Sequence, residues 1–233
     1  MIFFKRVVCV QSWEAFSIMD FKNKTVAVIG LGNIGKTIAR NLVKSGHSVI
    51  LSARTLEHAQ LLVKELGDLS SAEEVTQSIR DADIIVLAVW LKDIKEIIAT
   101  NKELFVNKVV IDPSNPIKID GSGNPQKIIG VNESSGEEIK RWLPASSKLI
   151  KALGTLAASL LSENAFSDPR NVLFYATSAQ DVRLTAESLI QDIGYLPYYV
   201  GDITESIKLE VFGSLNGHVV NLDAANKLVK DSL

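Results

Sequence analysis

Three glycines at fixed spacing carry the clearest chemical signal in the chain: Gly30-Leu31-Gly32-Asn33-Ile34-Gly35 is a G-x-G-x-x-G. The pattern alone is common, so its value rests on what flanks it. Here a β-branched apolar run precedes it and a helical pattern follows, an order that sets backbone N–H groups and a helix N-terminus against a pyrophosphate. Gly30 suits a tight turn, Gly32 lets the backbone approach phosphates, and Gly35 lets helix and strand pack closely. In a site for NAD, an acidic residue ends the second strand about 20 residues on and binds the ribose 2′-hydroxyl. This chain reads Ser52-Ala53-Arg54-Thr55 there, so a hydroxyl and a guanidinium stand in place of the carboxylate. Arg grips a phosphate in bidentate fashion, and the expected cofactor is NADP(H). Ala88, Val89 and Trp90 join the expected contact set, because they end a later apolar run at the sheet edge where ligands of open α/β sheets lie. Trp90 reads equally as a core or lid aromatic or as a nicotinamide contact.

Other constellations are thin. His47, His58 and His218 are scattered, and with Cys9 they offer no metal-ligand spacing, so each histidine reads as a surface or capping residue and no metal is expected. Ser, His and Asp form no nucleophile elbow. Asp112, directly before Pro113, reads as a strand-end residue rather than a general base.

The elements that must position the glycine turn follow from periodicity. Thr25 to Ile29 predicts the first strand, and Asn33 to Ser45 a helix with Ile34, Ile38 and Leu42 on one face and Gly46 beyond its end. Ser48 to Ser52 predicts the second strand and Leu56 to Leu66 a helix closed by Gly67. A third strand near Gly67 to Ser70 has to be very short, and Ser71 with Glu74 forms a capping-box pattern for the next helix. Ile84 to Val89 and Val109 to Asp112 are uninterrupted apolar runs of the kind buried on both faces of a parallel sheet. Asn115 to Asn132, rich in Gly, Pro and Lys, reads as a crossing loop. Lys148 to Leu153, Val172 to Ala176 and Tyr198 to Val200 are further strands. Ala179 to Ile193 reads as a helix with Ser178 as N-cap and Gly194 at its C-terminal end. The tail from Ile203 to Leu233 reads as helical, burying Leu209, Phe212, Leu215 and Val219 or Val220. Alternating strands and helices predict an α/β, Rossmann-type doubly wound parallel sheet with a small C-terminal αβ region. The expected division is an N-terminal extension over 1–19, a nucleotide-binding domain over 20–145, and the αβ region over 146–233. Residues 1–19 read as a disordered extension, a mis-called start before Met19, or an edge strand or arm.

Composition narrows the class. The chain has 233 residues, 46% hydrophobic and 22% charged, which excludes a disordered chain. A formal charge of −2 leaves no basic excess for nucleic acid or an anionic membrane. Apolar runs are strand length, well short of the roughly 20 residues that span a bilayer. The single cysteine, Cys9, points to a reducing compartment, and the expected location is cytoplasmic. The apolar face of the tail fits a homodimer contact or a helix packed on its own sheet.

With Asp83-Ile84-Ile85-Val86-Leu87-Ala88-Val89-Trp90 and Lys108-Val109-Val110-Ile111-Asp112-Pro113-Ser114-Asn115-Pro116 following the glycine turn in order, the chain resembles the NADPH-dependent coenzyme F(420) reductases from about Thr25 to Gly201. The resemblance implies NADP lying over the glycine turn, with a Ser-Arg pair at the second strand end on the 2′-phosphate. Arg54 matches, while Ala53 occupies the Ser position and Ser52 is the expected substitute. Lys148 to Leu156 looks like the strand and turn that reach the acceptor, so Gly154 and Thr155 are expected on the acceptor side; Gly154 stands where members often carry Asn or His. Ala176-Thr177-Ser178-Ala179 departs from the family's glycine-aspartate turn. The implied hydride transfer joins two ring carbons, of nicotinamide and of a deazaflavin such as coenzyme F(420) or a flavin, so no side chain acts as acid or base and the protein supplies position. Two rivals stand beside this expectation: an NADP-dependent imine or carbonyl reductase of a small metabolite, which needs a proton donor, and a non-catalytic NADP(H)-sensing protein.

Overall fold

A computed structural model describes residues 21–232; the expectations for residues 1–19 and for Cys9 lie outside the described residues. From Val26 the chain alternates strand and helix: β1 (Val26–Ile29), α1 (Asn33–Lys44), β2 (Val49–Ser52), α2 (Leu56–Leu66), β3 (Ser70–Ala72), α3 (Val75–Asp81), β4 (Ile84–Leu87), α4 (Leu91–Thr100) and β5 (Val109–Asp112). A small hairpin follows, β6 (Ile117–Ile119) with β7 (Pro125–Lys127), then α5 (Ser135–Trp142) and β8 (Lys148–Lys151). The C-terminal part holds α6 (Ala158–Glu163), β9 (Val172–Tyr175), α7 (Arg183–Asp192), β10 (Leu196–Tyr199), α8 (Ser206–Leu209) and α9 (Leu222–Asp231).

Six strands form one sheet in the order β3-β2-β1-β4-β5-β8, and every pairing in it is parallel. This is the expected doubly wound sheet, and its sixth strand is drawn from the stretch after residue 145. Strand alternation explains the two covering layers. In β1, Val26 and Val28 face Ile38 and Leu42 of α1 and Ala59 and Leu62 of α2, while Ala27 and Ile29 face Ile79 of α3 and Ile94 and Ile98 of α4. Each fully buried Val, Leu or Ile among these contributes roughly 1.5–3 kcal/mol. β9 and β10 pair in parallel and meet the edge of the large sheet through an antiparallel bridge between Lys151 and Ala176. Among the described residues no helix is long and apolar enough to cross a membrane.

Several local expectations give way to tertiary contacts. Ser71 does not cap a helix: it lies in β3, paired with Ile50 of β2, and α3 starts from Glu74 without a side-chain cap bond. The segment from Asn115 to Asn132 is not only loop, since Ile117 to Ile119 pairs with Pro125 to Lys127. Ser178 does not cap α7, which begins after a 3-10 turn at Gln180–Val182; its hydroxyl accepts instead from the Ile203 N–H at 3.2 Å. In the tail Leu209 and Leu215 are buried as expected, but Phe212 is 66% exposed at φ +76°, because α8 stops at Leu209 and an irregular segment runs to α9. His47, expected at the surface or as a cap, is buried. Its Nε2 lies 2.5 Å from Asp192 Oδ2, and its ring packs on Phe21 at 4.7 Å.

Candidate functional site

The strand order reverses between β1 and β4, and an open α/β sheet has its crevice at that switch point. An open cleft of about 1380 Å³ runs there across the C-terminal ends of the strands, from β2 to β8. Gly30, Leu31, Gly32, Asn33, Ile34, Ala53, Arg54, Thr55, Ala88, Val89, Trp90 and Gly154 line it, so the fold brings most of the expected residues onto one wall. Gly35, Ser52 and Thr155 are outside that lining.

Space explains the glycines. Gly30 has φ +95°, and a Cβ there would sit 2.4 Å from both Ala88 O and Val89 Cγ1. A Cβ on Gly35 would lie 1.9 Å from Gly30 O, so this residue closes helix against turn, which is why it is absent from the cleft wall. A Cβ on Gly32 would meet nothing within 4 Å; it would project into open cleft. Gly32 is also the N-cap of α1, with no side-chain cap bond and no acidic residue in the first turn. The free N–H groups of that turn and the positive end of the helix therefore face an opening that suits an anion. These residues fit a dinucleotide pyrophosphate.

At the β2 end, Arg54 and Thr55 are exposed, and Thr55 is the N-cap of α2 without a side-chain cap bond. Arg54 forms no ion pair among the described residues. Glu65, on the same wall, is held by the Arg40 guanidinium at 2.7 and 3.0 Å, and that pairing keeps its carboxyl below the usual range. Arg54 is thus left as an uncompensated cation, suited to a 2′-phosphate. Ser52, expected as the substitute hydroxyl, is fully buried; its Oγ has no partner, and its carbonyl accepts the Gly30 N–H at 2.8 Å. Thr55 is the hydroxyl beside Arg54 that stands open to the cleft.

The β8 end has a different character. Every charged lining residue, Lys36, Arg54, Glu65, Asp93 and Glu96, comes from α1, the end of β2, α2 or α4, and His58 stands with them on α2; beyond Pro113 the wall is Ser114, Asn115, Ile117, Ile119, Gly154, Leu156, Ala157, Ala158, Val211 and Asn216. Trp90, the N-cap of α4, stands at the mouth, half exposed. A Cβ on Gly154 would lie 2.3 Å from Pro113 O, so no side chain fits there, and the amides of Asn115 and Asn216 reach its carbonyl at 3.0 and 3.4 Å. Thr155 is buried behind the wall, its carbonyl accepting the Gly217 N–H at 2.7 Å.

Sequence reasoning missed a buried ionic cluster directly behind this wall. Lys151 ends β8 opposite Asp112 of β5. Its Nζ donates to Asp112 Oδ2 at 2.7 Å, to Ser114 O at 2.5 Å and to Ser135 Oγ at 2.7 Å, with Glu210 Oε1 3.4 Å away. Lys151, Asp112 and Glu210 are all at most 2% exposed. The sequence marked Asp112 alone as a strand end, with Lys151 inside the stretch Lys148 to Leu153 read as one strand; their adjacency depends on register.

Comparison with known proteins bears on the family resemblance and on the fold. Residues 25–116 match the family model described as NADP oxidoreductase coenzyme F420-dependent, and the resemblance read from the residues is borne out over that stretch. The metalloreductase STEAP3 of Rattus norvegicus is 22% identical over 79% of this chain and 35% of its own length; this chain spans about a third of that relative. Among solved structures, the hypothetical protein SMa0349 from Sinorhizobium meliloti superposes with a TM-score of 0.75 at 24% identity, covering 84% of this chain and 95% of its own. A candidate F420-dependent NADP-reductase from Arthrobacter sp. FB24 does so at 0.69 and 22% identity, covering 79% and 87%. At these identities what the structures share with this chain is the fold, a Rossmann-type α/β sheet.

Proposed function

We propose that this chain is an NADPH-dependent oxidoreductase that moves a hydride between nicotinamide and a flavin-like or deazaflavin ring. The observation that carries the reading is one cleft with an anion-binding turn and a free cation at one end and an uncharged wall at the other. The N–H groups of the Gly30 to Gly35 turn would hold the pyrophosphate, and Arg54 with Thr55 the 2′-phosphate. Ala88, Val89 and Trp90, between the two ends, would flank the nicotinamide. When bound, NADPH supplies the hydride.

The chain's own residues supply orientation and exclusion of water. Ile117, Ile119 and Val211 face the far end of the cleft, where an apolar lining shields reacting carbons from solvent. Among the described residues, no carboxylate, imidazole, ammonium or phenol lines that end. Lys151, the one ammonium close by, has its three N–H bonds engaged by Asp112, Ser114 and Ser135, and it is 2% exposed. Reduction of C=O or C=N calls for a proton donor, whereas transfer between two ring carbons does not, and an acceptor carboxylate would find no cation on this wall. Steady-state oxidation of NADPH with riboflavin, a deazaflavin and a cyclic imine tests the reading. Turnover with a ring acceptor is expected. Faster turnover of the imine would replace it with the metabolite-reductase reading, and tight NADPH binding with no turnover of any acceptor would replace it with the sensor reading.

A further inference from the structure

We propose that Lys151, with Asp112 and Glu210, is a positioning group that fixes the far wall of the cleft and acts on the acceptor through Asn115. The inference rests on the hydride-transfer reading above for its effect on turnover. Two carboxylates and one ammonium, all shielded from water, are a poor way to stabilise a core, since apolar side chains of similar volume serve as well or better. What such a cluster does well is fix backbone in register.

Here it pins two segments at once. Ser114 is held at both backbone groups: its N–H donates to Asp112 Oδ1 at 2.8 Å, and its carbonyl accepts from Lys151. Glu210 Oε1 accepts from Ser135 N–H at 2.8 Å and Ser135 Oγ at 2.7 Å, fastening the segment after α8 to the start of α5. The next residue on each segment completes a clasp. The Asn115 side chain donates to Gly154 O at 3.0 Å and accepts from the Val211 N–H at 2.7 Å, and both Asn115 and Val211 line the cleft. The segment is held under tension: Phe212 is a bulky residue in the left-handed region at φ +76°, between Val211 on Asn115 and Gly213, whose N–H donates to Glu210 O at 2.7 Å. A conformation of this kind persists only where its surroundings over-determine it. The cluster, the clasp and the strained residue together set the distance between the Asn115 loop and the Val211 segment.

The test uses the full chain in three forms: Asn115→Ala, the charge-free triple variant Asp112→Asn, Lys151→Met, Glu210→Gln, and all four changes combined. Amide hydrogen exchange and NADPH oxidation with riboflavin are the readouts. The triple variant keeps Asn115, yet the Val211 amide is expected to exchange at least tenfold faster, with the β1 amides unchanged. Turnover with riboflavin should fall at least tenfold in both Asn115→Ala and the triple variant, NADPH affinity staying within threefold, and the combined variant should lose no more than the worse of the two. Unchanged Val211 protection, additive losses in the combined variant, or a fall in NADPH affinity that tracks turnover would each overturn the assignment. Should the triple variant not fold, Asn115→Ala decides through the split between turnover and NADPH affinity. A native protein that turns over neither riboflavin nor a deazaflavin defeats the functional reading alone, and Val211 exchange still decides whether the cluster positions the wall; where only the deazaflavin is turned over, it takes riboflavin's place in the assay.

Discussion

Gly32 and Gly35 are glycines for different reasons of space, and the difference can be measured. Gly32→Ala adds a methyl that meets no protein atom within 4 Å at a φ of −72°, so Tm should hold while NADPH affinity drops at least tenfold, because the methyl occupies the approach to the turn. Gly35→Ala drives a Cβ to 1.9 Å from Gly30 O, backbone against backbone, and overpacking of this kind costs ~1–3 kcal/mol or more. Differential scanning calorimetry should show the second losing several degrees and the first almost none. Equal Tm losses would mean that the turn is not the phosphate cradle described. Arg54→Glu should weaken NADPH binding tenfold or more and NADH binding far less, as a charge-assisted contact is worth ~1.5–3 kcal/mol; native affinities equal for the two nucleotides would refute the 2′-phosphate assignment. Ser52→Ala should change neither. The placement of the glycine turn and of Arg54 was legible because it depends on local spacing. Lys151 was not, since its partner Asp112 lies 39 residues away and only the β5 and β8 register sets them side by side.

Elements were legible where hydrophobic period and helix ends agree. α1 and α2 end as expected, with Gly46 and Gly67 at φ +85° and +79°. Signals failed where a competing contact was stronger: the Ser71 and Glu74 pattern lost to strand pairing, and Ser178 was taken by the Ile203 N–H. α5 shows the converse. Its N-cap Ser134 accepts the Glu137 N–H and donates its hydroxyl to the Glu137 carboxylate; this Ser-x-x-Glu spacing is as plain as the one at Ser71, but it lies just past the stretch read as crossing loop. The link between α6 and β10 makes a testable claim at this scale. Tyr195, fully buried, donates to Leu161 O at 2.8 Å, and burial pushes its phenol up to about 12. A neutral form favoured by the fold contributes stability that is complete below the ordinary value of about 10 and is lost as pH rises through about 12. Alkaline unfolding should therefore steepen above pH ~10, and Tyr195→Phe should flatten that limb at a cost of ~1 kcal/mol at neutral pH. An unchanged alkaline limb in the variant would assign the loss to another group.

For the whole molecule, the sheet order β3-β2-β1-β4-β5-β8 separates two kinds of chemistry along one cleft. The cations of the cleft wall, Lys36 and Arg54, come from α1 and the end of β2. The β8 end is walled by uncharged residues, partly from the segment after α8 that Glu210 fastens in place. On the proposed reading such a cleft holds two rings against each other, and among the described residues no carboxylate, imidazole, ammonium or phenol lines its β8 end to supply a proton. Two kinetic signatures follow, and they belong to the assembled cleft rather than to any one residue. The chemical step should show a primary isotope effect with 4-deuterated NADPH, and its rate should change little between about pH 6 and 8, the range in which a histidine titrates. His58 is the one histidine on the cleft wall, and it sits on α2 beside Arg54 and Thr55, so on the proposed reading His58→Gln should alter NADPH binding more than the pH profile of turnover. A steep profile with one group near neutrality, abolished by a single substitution, would show that the cleft carries a proton donor after all and would move the protein to the carbonyl or imine reductase reading.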